Sequence, residues 1–205
     1  MDETVIAFHV VMSFYGFWLP NDERGSGSWY VGSKSLYQFS TATHVSSNHS
    51  VARRPYNKAI QLQARKNLKY PSVVLNGYQA RAIGRGFANY IDKSGLIVHA
   101  CAILPDHVHL VVRRFTYSIE QIMIKLKAAA TEQLLREGLH PFQRIVLPDG
   151  GHPKVFARDG RHVFIFDNEG VIGRIKYVCD NPVNAGLPAQ EYPFVIPFIS
   201  LSRDA

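Results

Sequence analysis

The order of patterned segments predicts an α+β fold, an antiparallel sheet with helices packed on one face. Three observations carry that expectation. Residues 5–15, "VIAFHVVMSFY", form a β-branched and aromatic run. Two more strand-like runs, "LIVHACAIL" and "HVHLVVR", are parted only by Pro105 and Asp106. Helical patterns stand on either side of that pair and again near the end of the chain. A length of 205 residues suits one well-packed domain and is short for two, so a single domain over 1–205 is expected.

The first strand gives way to "GFWLPNDERGSGSW", whose Gly, Pro, Asn and Asp residues read as loop. Residues 25–54 stay rich in Ser, Gly and Thr with weak periodicity, and are too long for an ordinary connection. An irregular loop insertion around 25–56 is therefore expected. A helix fits Asn57 to Leu68, before Pro71. A stronger one follows in "NGYQARAIGRGFANYIDKSG", where Ile83, Phe87, Tyr90 and Ile91 recur at helical spacing and Gly95 closes the run. The next two runs, broken by Pro105 and Asp106, read as an antiparallel hairpin. Ser118 then caps a helix to about Arg136, with Ile119, Ile122, Leu126 and Ala130 on its apolar face. "RIVLPDGGHPKVFARDG" reads as turns and short strands. The last helix starts near Asn168, turns Val171, Ile172, Ile175 and Val178 to a core, and is expected to stop before Asn181-Pro182.

Charge narrows the function classes. Lys and Arg outnumber Asp and Glu by 23 to 16, a net charge of +7, which points to a polyanionic partner, most often nucleic acid. Cys101 and Cys179 are too few and too far apart for a disulfide framework or a cysteine zinc site, and read as small buried hydrophobes. No apolar stretch is long enough to cross a bilayer, and "MDETVIAFHV" lacks the basic start of a secretion signal. A cytoplasmic protein with no membrane partner is the expectation.

The chemistry lies in two segments. Successive side chains on a strand alternate between faces, so in "ILPDHVHLVV" His107 and His109 share one face. Two such imidazoles can hold a metal ion. With nine histidines in the chain, a pair of this kind also arises by chance. On the last helix, Arg174, Tyr177 and Asn181 follow at spacings of three and four and stack on one face. A phenol holds its proton at neutral pH and is a poor nucleophile, so attack on a phosphodiester would need a cation beside it. A divalent ion held by His107, His109 and the Asn181 oxygen would supply one. Each residue also has a plainer reading: Tyr177 as an aromatic at the core's edge, Asn181 as a helix terminator before proline. His9 and His99 lie in strand runs and read as packed histidines outside any site.

"PDHVHLVV" followed by the distal "IKYVCDNPVNAGL" resembles the single-tyrosine HUH transposases, in particular the REP-associated tyrosine transposases. The His-hydrophobe-His element falls on His107, Val108 and His109. "SFYGFWLPNDERG" also resembles a stretch after the first strand in one branch of that group. That branch more often has Gly-Thr-Trp-Leu and Gly-Asp where this chain has Gly16-Phe17-Trp18-Leu19 and Asn21-Asp22. The resemblance runs from Val5 to about Phe198 and is poorest over 28–56. It implies an HUH-nuclease sandwich of the ferredoxin or RRM type that cuts and rejoins single-stranded DNA, usually beside a hairpin. It also implies that His107 and His109 hold Mg²⁺ or Mn²⁺, that Tyr177 forms a 5′-phosphotyrosine, and that Asn181 completes the metal site. Ligand softness alone would favour zinc or manganese over magnesium.

Candidate DNA contacts follow from the same resemblance. Lys125 and Lys127 lie on the helix after the metal strand, and Arg174 lies one turn before Tyr177. Trp18, with Phe17 and Tyr15, can stack on unpaired bases, and Arg24, Arg53 and Arg54 can reach phosphates. Arg81, Arg85 and Arg136 read as solvated helix charges. Two other functions stay open: a hairpin-binding protein without catalysis, and a replication-initiator-like or relaxase-like enzyme. A homodimer is possible, because Gly170 and Gly173 could loosen the start of the tyrosine helix for exchange between subunits.

Overall fold

A strand buried at every position needs cover on both faces. In the computed structural model, which describes residues 4–17, 19, 36 and 58–199, strand β1 (Ala7–Ser13) is such a strand. After it come α1 (Lys58–Lys66), α2 (Gly77–Ser94), β2 (Val98–Ile103), β3 (His107–Arg113), α3 (Ile119–Arg136), β4 (Arg161–Ile165) and α4 (Asn168–Asn184). The strands form one open sheet in the order β2-β3-β1-β4, and every neighbouring pair is antiparallel. The α+β class is therefore as the sequence predicts.

The helices divide between the two faces rather than sharing one. Phe8, Val10 and Met12 of β1 and Val108 and Leu110 of β3 point towards α2 and α3, where they meet Ile83, Phe87, Ile122 and Leu126. The alternate residues, among them Ala7, Ala100, Ala102 and Val111, point to α4 and pack on Val171, Ile175 and Val178. The continuous apolar runs of the central strands follow from this double cover. Ile172, expected to face the core, is 55% exposed because it lies off the stripe that residues 171, 175 and 178 form.

Local chemistry explains the helix boundaries. Asn76 and Ser118 each accept the backbone N–H three residues on, while Gln79 and Gln121 accept the cap residue's own N–H. Gly95 ends α2 at a φ of +70°, a conformation a side chain would strain. Gly86 has a different task. A Cβ there would stand 2.6 Å from the Ala129 carbonyl oxygen and 2.8 Å from the Ala130 Cα, so its absence lets α2 and α3 touch backbone to backbone.

Further sequence expectations are corrected, among them the burial of Cys179, which is exposed. The helix α4 does not stop before Asn181 but runs through Pro182 to Asn184. Pro182 lies in the last turn, where its missing N–H costs one hydrogen bond, and Ala185 N–H closes the end on the Asn181 carbonyl at 3.0 Å. The strand β4 was not foreseen as an element, and it pairs with β1 from Ala7↔Ile165 to Val11↔Arg161. On the opposite edge of the sheet, Gln190 substitutes for a partner strand. Its side-chain amide donates to Ile103 O at 2.9 Å and accepts from Ile103 N–H at 2.8 Å. Val195 forms a bridge with Val98 beside it. His99, bonded through Nδ1 to the Ile196 carbonyl at 2.9 Å, is the packed histidine the sequence suggests. Among the described residues no helix is long and apolar enough to cross a membrane. The loop insertion around 25–56 lies outside the described residues, apart from Leu36.

Candidate active site

Pairing of β1 with β3 assembles the site. Ser13 stands opposite His107 and Val11 opposite His109, and directly opposed residues share a face. His9 lies two residues before Val11, so it joins them on the side towards α4. The three rings form a chain of contacts. Asp106 Oδ1 lies 2.6 Å from His107 Nδ1, and His107 Nε2 lies 2.9 Å from His109 Nε2. His109 Nδ1 in turn lies 3.0 Å from His9 Nε2. The His9 and His109 rings lie nearly parallel, 19° apart, with centroids at 5.1 Å, as two rings hydrogen-bonded end to end do.

The tyrosine of α4 closes over this floor. The ring of Tyr177 meets His109 edge-on at 5.5 Å and His9 at 5.6 Å, yet the residue is 48% exposed. One edge therefore rests on the imidazoles while the rest is open to solvent. Asn181 follows one turn later. Its Nδ2 donates to the Tyr177 carbonyl at 3.4 Å, so Oδ1 is the amide atom available to a cation. Asn181 shares a cleft of about 350 Å³ with Pro105, Asp106, His107 and Asn184.

Electrostatics keep the inner rings uncharged. Burial pushes His109 down to about 2, helped by the neighbouring His107 and His9. Burial also pushes His9 down to about 3, and the positive charges of Arg174 and Arg161 add to the effect. Neutral imidazoles keep a lone pair for a metal or a proton.

The donors fit a divalent ion in one respect. Two nitrogen ligands at about 2.1 Å and at right angles are separated by about 3.0 Å, whereas a tetrahedral pair stands about 3.4 Å apart. The 2.9 Å between His107 Nε2 and His109 Nε2 suits the first arrangement. Asp106, 2.6 Å behind His107, stands where an outer carboxylate would orient that ring for a metal. Among the described residues no group of three or more His, Cys, Asp or Glu is arranged to hold a metal, so the Asn181 amide is the third donor on offer.

The fold gathers some of the sequence candidates and separates others. His107, His109, Tyr177 and Asn181 come together, and Arg174 lies on the same helix with its charge felt at His9. Lys125 and Lys127 ride on α3, across the sheet. Lys125 Nζ lies 5.4 Å over the Tyr117 ring. Lys127 Nζ donates to the carbonyls of Ala157, Arg158 and Asp159 at 2.9, 3.2 and 3.1 Å, which uses all three ammonium hydrogens to hold the approach to β4. Burial lowers its pKa to about 8. Trp18, Arg24, Arg53 and Arg54 lie outside the described residues. Tyr15 packs with Tyr70 and Phe142, and Phe17 lies under the Arg65 guanidinium. Arg85 and Arg136 pair with Glu137 and Glu132, and Arg81 stacks over Tyr78.

Two residues of the site escaped the sequence reading. His9 reads from sequence as a packed histidine, and the signal available is its place at an even spacing inside the apolar run of β1. Arg161 opposes Val11 on β4 as His109 does on β3, so His109, Val11 and Arg161 form one row across the face. Nothing in the local sequence of Arg161 marks it.

No family model and no curated protein matches the chain. Two solved structures are similar in fold. One is a REP-associated tyrosine transposase bound to a REP hairpin, with 10% identity over 95% of this chain and 78% of that chain, at a TM-score of 0.46. The other is a candidate transposase from Deinococcus radiodurans R1, with 12% identity over 87% of this chain and 91% of that chain, at a TM-score of 0.43. A likeness this distant says nothing by itself about activity.

Proposed function

We propose that this protein is a metal-dependent transposase that cleaves and rejoins single-stranded DNA beside a hairpin, with Tyr177 as the nucleophile. The observation that carries the reading is the meeting of Tyr177 with His109, on the face where the Nε2 atoms of His107 and His109 converge. The resemblance of "PDHVHLVV" and "IKYVCDNPVNAGL" to the HUH transposases supports it independently. Mg²⁺ or Mn²⁺ held by His107, His109 and Asn181 would offset charge on the phosphate oxygens.

The chain's own residues divide the remaining work. The Tyr177 oxygen bonds to phosphorus as its proton leaves, and the bond from phosphorus to the 3′ oxygen breaks. The products are a 5′-phosphotyrosine and a strand ending in a 3′-hydroxyl, which takes up a proton. Attack of a 3′-hydroxyl on the phosphotyrosine reverses these steps and rejoins DNA. Arg174, one turn before Tyr177, supplies a fixed positive charge for the strand.

Covalent capture tests the reading. Labelled hairpin oligonucleotides with single-stranded flanks would be mixed with the protein in Mn²⁺ or in EDTA and run on denaturing gels. A protein–DNA adduct should form only with Mn²⁺ and be lost in Tyr177→Phe and His109→Ala, while Tyr177→Phe still binds the hairpin. A full-strength adduct from Tyr177→Phe refutes the nucleophile. Tight hairpin binding with no adduct in any divalent metal would make the protein a binding module instead.

A further inference from the structure

We propose that His9 is a positioning residue that sets which nitrogen of His109 carries the proton, and so whether His109 can ligate the metal. The inference rests on the metal-site reading above and concerns residues that neither the motif nor its spacing includes. It follows from the hydrogen-bond roles open to each nitrogen in the chain Asp106, His107, His109, His9.

A carboxylate only accepts hydrogen bonds, so the 2.6 Å contact with Asp106 places a proton on His107 Nδ1. A ring protonated at Nδ1 alone presents a lone pair at Nε2. That lone pair faces His109 Nε2 at 2.9 Å. Without an ion between them, one of the two nitrogens must donate, and where His107 is protonated at Nδ1 alone the donor is His109. Its Nδ1 is then bare and accepts from His9 Nε2–H at 3.0 Å. His9 Nδ1 is left as a buried lone pair without a hydrogen-bond partner among the described residues.

An ion shared by His107 and His109 needs the opposite arrangement. Both Nε2 atoms must offer lone pairs, so His109 must carry its proton on Nδ1. Nδ1 faces His9 Nε2, which must now accept. The protons balance without change of charge. His109 gives its Nε2 proton to solvent and takes one at Nδ1 from His9 Nε2, while His9 takes one from solvent at Nδ1. A side chain with an acceptor at the His9 position is therefore required for the metal-binding tautomer. The near-parallel, end-to-end placement of the two rings aligns the Nδ1–Nε2 contact along which the exchange occurs. His9 also packs against Tyr177 at 5.6 Å, so one side chain braces both the nucleophile and the metal ligand.

The test measures metal binding rather than DNA cleavage. Mn²⁺ affinity, read by EPR on the full chain, would be compared for wild type, His9→Phe, His9→Gln and His107→Ala. Removing an outer partner of a metal ligand commonly weakens binding about 10–100-fold, and that loss is expected for His9→Phe. His9→Gln, which keeps an acceptor, should stay within about threefold of wild type. In ¹⁵N-histidine NMR spectra of the wild type, His109 should be Nε2–H in EDTA and Nδ1–H with the diamagnetic Zn²⁺. The inference is overturned if folded His9→Phe binds Mn²⁺ as wild type does while His107→Ala does not. It is also overturned if Zn²⁺-bound His109 keeps its proton on Nε2, a result that needs no variant to fold. If wild type binds neither ion, the metal-site reading itself fails and takes this inference with it.

Discussion

Lowering the pH from 7.5 to 5.0 should remove about 4 kcal/mol of folding stability through His9 and His109 alone. In the unfolded chain both rings take up protons near 6.5, whereas in the fold burial, the first cause for each, holds them down to about 3 and about 2. Between 6.5 and those lower values the unfolded state binds more protons, so stability is complete above 6.5 and falls with pH through the window. At pH 5.0 each ring is 1.5 units below its unfolded value of 6.5, worth about 2 kcal/mol. A domain of this size has roughly 5–15 kcal/mol in total, so the loss is readily measured. Urea denaturation in EDTA at both pH values would read it, with His9→Phe/His109→Leu as the control for other acid-sensitive groups. The double variant should lose about 4 kcal/mol less than wild type over the same interval. Equal losses would refute the neutral, buried state of the pair.

Two further expectations concern the scaffold. Gly86→Val should cost about 1–3 kcal/mol, seen as a lower urea midpoint, because its side chain would be forced against Ala129 and Ala130 where α2 and α3 touch. Gln190→Ala should cost about 1–3 kcal/mol and speed amide exchange at Ile103, whose N–H and C=O lose their partner at the sheet edge; unchanged exchange at Ile103 would show that the edge is protected by other means.

What the sequence discloses here follows the distance over which the information is written. The start of α3 is legible because Ser118 and Gln121 stand three residues apart, and the end of α2 because Gly95 supplies the conformation the stop requires. That His107 and His109 share a face is legible by the same local logic, as is the stacking of Tyr177 and Asn181 on α4. The partner of His109 is not, because His9 lies 100 residues away and reaches it only through the register of β1 with β3. The strand β4 was obscured for another reason. It is an edge strand of five residues with one side partly open, so Phe164 is exposed and Ile165 buried, and no alternation of polar and apolar residues marks it. Lys127 shows a third limit, since a lysine that holds three carbonyls and one that holds a phosphate have the same sequence signature.

The distribution of charge over the site bears directly on the proposed chemistry. Protonated histidines would repel a divalent ion and leave no lone pair to bind it. Burial beneath α4 removes that conflict at His9 and His109. Under the proposed chemistry, positive charge for a phosphodiester would come from elsewhere: the charges of Arg174 on α4 and Arg161 on β4 are felt at His9 without occupying the imidazole floor. Because β4 carries Arg161 into the same cross-strand row as His109, pairing of the edge strand with β1 serves the site as well as the sheet. Lys127 enters at this point. By holding the carbonyls of residues 157–159 it anchors, from the far side of the sheet, the segment that leads into β4.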